Sequence, residues 1–160
     1  MTATEIFGNL APAEADEILA NLKQDARDVY RAAVGALASR RNLRATFLDK
    51  KPLPERHAWM VRELTRPQNA DIAVETLQAW LMSSRKDMLR NFLDSLGISH
   101  DGEGVVETLP TEPPRDRLEA AVNDLLKERP SWEVRSYLGL FCEMDIADWP
   151  VLRELVAGIS

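Results

Sequence analysis

The sequence predicts an all-α fold: a single helical domain of seven to eight helices spanning residues 1–160. Three observations carry that expectation. Apolar residues recur at gaps of three and four along almost the whole chain. Prolines and glycines fall where those stripes stop, at Pro52, Pro54, Pro67, Gly97, Pro113, Pro114, Pro130 and Pro150. Residues 98–114 are the one long stretch without helical spacing.

Residues 1–11 read as a lead-in. From Pro12 to Arg41 the apolar positions Ile18, Leu19, Leu22, Ala26, Val29, Tyr30, Ala33, Val34 and Leu37 keep one face apolar, predicting a single helix. Pro12 suits its first turn, Glu14, Asp16 and Glu17 its positive end, and Arg40 and Arg41 its negative end. At 1.5 Å per residue it would be about 43 Å long, with Gly35 as its weak point. That exceeds the roughly 30 Å expected of a domain this size, so part of its stripe would need a partner, most simply a second copy. The small residues Ala32, Ala33, Gly35, Ala36 and Ala38 would permit close helix approach.

Short helices follow over 43–50 and 55–65, then one over 69–83 bearing Ile72, Leu77, Trp80 and Leu81. Ser84 reads as the N-cap of a helix over 85–96, with Asp87 three residues on. Gly97 is the expected left-handed terminator. Loop 98–114, with a small hairpin at Val105–Val106 as one reading, separates the helical halves. Helices after Pro114, after Ser131 and after Pro150 complete the chain. An offset of 45 residues pairs Leu77, Leu81, Leu89, Phe92 and Leu93 with Val122, Leu126, Val134, Tyr137 and Leu138. That spacing is compatible with a duplicated helical hairpin.

Composition excludes several classes. With 45% hydrophobic residues the chain can bury a core. The start, Met1 to Phe7, has no basic and apolar leader, and no apolar run approaches a membrane span. One cysteine rules out an internal disulfide. A cytoplasmic protein without membrane contact is the resulting expectation.

Catalytic signatures are few. No nucleophile elbow, phosphate-binding loop or dinucleotide fingerprint occurs, so no cofactor is expected. His57 has no carboxylate or histidine at i+3 or i+4 and reads as a histidine satisfied by a local acceptor. His100 with Asp101 and Glu103 reads as a solvated turn that lacks calcium-loop spacing. His57, His100 and Asp101 meeting in space would give a small metal-assisted hydrolase. Cys142 shares an apolar face with Phe141, and Glu143 and Asp145 beside it suit an inert thiol.

Charge is distributed unevenly. The net charge is −6, yet residues 40–66 carry +5 while 99–160 carry −7 and 1–39 carry −3. Arg40, Arg41, Arg44, Lys50, Lys51, Arg56, Arg62 and Arg66 are the candidate anion- or partner-binding residues, with Arg62 and Arg66 one turn apart as a phosphate clamp. The leading functional expectation is a non-enzymatic helical interaction module, self-associating or bound to an acidic protein. The alternative is binding of nucleic acid or another polyanion through 40–66, weakened by a pI of about 5.0.

Overall fold

The computed structural model describes residues 1–144 and 148–160, so Asp145 beside Cys142 lies outside the described residues. Among them every regular element is helical, and ten helices occur. The chain divides into two compact units, residues 2–84 and 85–160. The division falls ahead of loop 98–114.

In the first unit, α1 (Ala3–Asn9) replaces the lead-in expected over 1–11. Its cause is a capping box: the Thr2 side chain accepts from the Glu5 amide while the Glu5 carboxylate accepts from the Thr2 amide. Ile6 and Phe7 are thereby committed to the core.

The single long helix over 12–41 is two helices, α2 (Pro12–Asp25) and α3 (Arg27–Arg40), each about 21 Å long. The chain breaks at Ala26, whose φ of −142° and ψ of 61° leave the helical region, rather than at Gly35. Alanine is a strong helix former, so the break comes from tertiary packing: on either side of it, α2 and α3 each lie against α6 (Ala70–Ser84). The apolar stripe passes through the break in step, which is why spacing alone misses it. The overlong helix was the reason to expect a protruding stripe, and it is absent.

α3 ends on Asn42, a non-glycine residue with φ +56°. Leu43 N–H donates to Ala38 and Asn42 N–H to Ser39, closing a Schellman turn. The short α4 (Ala45–Asp49) and α5 (Leu53–Leu64) follow, joined by Arg56, whose guanidinium donates to the Leu48 and Asp49 carbonyls at the α4 C-terminus. A 3₁₀ turn at Pro67–Asn69 then leads into α6. Trp80, Leu77, Ile18, Leu19, Leu22, Leu37, Met60 and Leu64 form this unit's dry interior.

The second unit holds α7 (Lys86–Ser95), α8 (Arg115–Glu128), α9 (Ser131–Glu143) and α10 (Pro150–Ala157). Ser84 is the last residue of α6 and its hydroxyl donates to Asp25, so it is not the cap of α7. Pro130 rather than Ser131 holds the N-cap position of α9. The first copy of the 45-residue offset spans α6 and α7, which belong to different units. Gly97 terminates α7 with φ +68° as expected, with Ile98 N–H bonded to Leu93 and Gly97 N–H to Asp94. Phe92, Tyr137, Phe141 and Trp149 pack edge-to-face or tilted, with centroids 5.4–6.2 Å apart.

Loop 98–114 forms no hairpin; it folds back as turns. Asp101 accepts from the Glu103 and Val105 amides at 2.7 and 3.1 Å. At Gly104, φ is +85° and an added Cβ would lie 2.7 Å from Leu89, so only glycine fits. Further along, Pro110 accepts from the Trp149 indole, and a Glu112 carboxylate oxygen accepts from the Val151 and Leu152 amides, capping α10 from a distance.

Candidate functional site

The most chemically distinctive place in the first unit is built around Tyr30, one turn into α3. Arg27, Tyr30, Arg31 and Val34 lie at i, i+3, i+4 and i+7, so they share one face of α3. Lys23 comes from the last turn of α2, Arg56 from α5, and Ala45 and Asp49 from α4. Together they line a cleft of about 430 Å³. Four cations face it against one carboxylate. Arg27 and Arg31 are exposed, and Lys23 is half-buried. None of these three has an ion-pair partner among the described residues.

Tyr30 is 3% exposed and lines the cleft. Its Oη lies 2.9 Å from His57 Nε2, and His57 Nδ1 lies 2.8 Å from Asp16 Oδ1. The two rings meet edge to face at 5.7 Å. With the Asp16 carboxylate as acceptor, the imidazole carries its proton on Nδ1 and takes the Tyr30 hydroxyl hydrogen at Nε2. Burial lowers the His57 pKa, and the Asp16 hydrogen bond partly opposes it. Burial raises the Tyr30 phenol pKa, and the neighbouring Arg56 guanidinium draws it back down.

His57 and Asp16 also line a second cleft in the same unit, about 580 Å³ and mostly apolar, with Phe7, Leu10, Val61 and Arg62 in its wall. The three-residue relay therefore has one end in each cleft. Asp16 is the more open end, its side chain 53% exposed.

The eight cations expected to act together are drawn apart. Arg40 makes a two-pronged contact with Asp71 at 2.7 and 2.8 Å and also donates to the Gln68 carbonyl. That guanidinium pulls the Asp71 carboxyl down to about 2. Arg41 and Arg66 both reach the nearly buried Glu63, at 2.8 and 3.3 Å. Arg66 is thus held beside Glu63, while Arg62 lines the apolar cleft. Lys51 lies 4.9 Å over the Phe47 ring. Arg44 and Lys50 carry no ion pair among the described residues. Of the eight, only Arg56 faces the basic cleft.

His57 belongs to the first unit, His100 and Asp101 to the second. His100 Nε2 is 2.8 Å from Asp94, and its Nδ1 accepts from the Gly102 amide. Among the described residues no group of three or more His, Cys, Asp or Glu side chains gathers to hold a metal ion. Cys142 is half-buried, and burial pushes its thiol pKa up, the opposite of what an active thiolate requires. No helix is long and apolar enough to cross a membrane among the described residues.

Lys23, Arg27, Arg31, Tyr30 and Asp16 carry the site and are not among the site residues expected from sequence, where Tyr30 reads as a stripe position and Asp16 as a helix-start acid. The signal was present as spacing: Lys23, Arg27 and Arg31 stand four apart, but within a segment whose total charge is negative. Compared with protein-family models, curated proteins and solved structures, the chain finds no match.

Proposed function

We propose that this chain is a non-enzymatic helical module that binds a small phosphate-bearing ligand in the basic cleft around Tyr30. One observation supports the reading: Lys23, Arg27 and Arg31 converge on one cleft with no ion-pair partner of their own among the described residues. Cations from three helices suit a tetrahedral group with oxygens pointing in several directions, more than a flat carboxylate. A net charge of −6 over the whole chain repels a long polyanion while leaving a local site for a short one. No aromatic face other than buried Tyr30 lines the cleft, so base stacking does not support a nucleic-acid reading.

The test is calorimetric titration with inorganic phosphate and pyrophosphate at low and moderate salt. Binding that weakens with ionic strength, and that Arg31→Glu reduces by about tenfold or more, is expected. Absence of binding at low salt overturns the reading.

The apolar cleft beside His57 supports a second reading, contact with a protein partner, in line with the interaction module expected from sequence. Self-association measured by sedimentation, and lost in Val61→Glu, is its test.

A further inference from the structure

We propose that anion binding in the Tyr30 cleft takes up one proton on the Asp16–His57–Tyr30 relay, so that the cleft holds its ligand more tightly as the pH falls below neutrality. The inference rests on the anion-binding reading and adds its regulation.

The hydrogen-bond inventory of the relay carries the argument. In the neutral relay the only hydrogen on the Tyr30 oxygen goes to His57 Nε2, so the phenol, a wall residue of the cleft beside Arg56, has none to offer a ligand. An anion there gains nothing from the phenol. A proton taken from solvent onto Nε2 reverses the direction: Nε2–H donates to Oη, and the Oη–H turns toward the cleft as a donor to the ligand. Nδ1 keeps its hydrogen and its bond to Asp16, so the new charge has a carboxylate 2.8 Å away.

The charges facing His57 make the coupling strong. Asp16 on α2 favours the imidazolium; Lys23 on α2 and Arg56 on α5 oppose it. Tyr30 on α3 is the remaining ionisable contact. Lys23 and Arg56 are two of the four cations that line the basic cleft. An anion seated there neutralises the same two charges that resist protonation. By linkage, a ligand that favours the protonated relay must be favoured by it in return.

The experiment uses sulfate on the 160-residue chain, because sulfate keeps one charge state across this range whereas phosphate and its monoesters change charge between about pH 6 and 7. Calorimetry in two buffers of different ionisation enthalpy reads the protons taken up. The expected result is uptake approaching one proton, with affinity rising by up to about tenfold per pH unit across the linked range. His57→Gln should bind sulfate without uptake. The chain has two histidines, so the His57 imidazole resonance, assigned with His100→Gln, gives a readout that needs no His57 variant. Its midpoint should move upward when sulfate is added. Binding without proton uptake, an unmoved His57 midpoint, or uptake that persists in His57→Gln overturns the inference and leaves the anion reading standing. No sulfate binding at any pH overturns both.

Discussion

Two sets of cations in the first unit invite comparison. The dense set, over residues 40–66, is the conspicuous one in the sequence, and its arginines at 40, 41 and 66 are engaged by Asp71 and Glu63. The sparse set, Lys23, Arg27 and Arg31, is hidden in an acidic segment and, among the described residues, remains without ion pairs around a cleft. Charge density along a chain thus measures supply, whereas a binding site needs charge left over after folding. Cations adjacent in sequence point about 100° apart on a helix, and here Arg40, Arg41 and Arg66 are met by carboxylates from other positions. Arg27 and Arg31, four apart within α3, share one face, and the break at Ala26 brings Lys23 of α2 to the same cleft.

The comparison predicts a clean separation of effects, largest first. Arg27→Glu combined with Arg31→Glu should lower phosphate or sulfate affinity by about 100-fold or more, since each charge-assisted contact is worth roughly tenfold. Both side chains are exposed, so the melting temperature should hardly move. A comparable loss of stability would break the distinction between spare and engaged cations.

Glu63→Ala addresses the other set. Its carboxylate is nearly buried and serves Arg41 and Arg66, each roughly two-fifths exposed. Because water can reach both guanidinium groups once Glu63 is gone, the cost should be about 1–2 kcal/mol, short of that for a fully buried pair. Denaturant unfolding checks it, and anion affinity should be unchanged.

Asp71→Asn should produce the smallest shift, because the Arg40 contact is open to solvent. Its pH profile is the informative part. A carboxylate held at about 2 in the folded protein and near 3.9 when unfolded adds stability that is complete above about pH 4 and lost as pH falls toward 2. The wild-type and Asp71→Asn melting curves should therefore converge on acidification across that interval. Curves that stay parallel would show that the contact contributes nothing to folding.

Much of the fold was legible because helix punctuation is local. Pro52 after the 43–50 segment, the Pro67 stop, Gly97 closing α7 and Pro114 before α8 follow from φ restriction and lost donors, which need no tertiary knowledge, whereas Pro54, expected as a stop, sits inside the first turn of α5. The Thr2–Glu5 box is equally local, and it turns the lead-in expected over 1–11 into a helix. The break at Ala26 was not legible: an alanine within an unbroken stripe gives no cue, and the cause lies in how α2 and α3 meet α6. The relay was hidden for a different reason. His57 finds Asp16 41 positions away and Tyr30 27 away, so a search for ligands at i+3 and i+4 could see neither.

Glu112 shows how far an irregular segment can govern a regular one. The first turn of a helix is its costly nucleus, and in α10 the amides of that turn are met by a carboxylate from loop 98–114. This eight-residue helix is too short to persist on its own strength. Its start is templated from upstream, so a cut or an insertion near residue 112 removes the template together with the loop. The end of the chain borrows its order from the stretch of sequence with the least regular backbone.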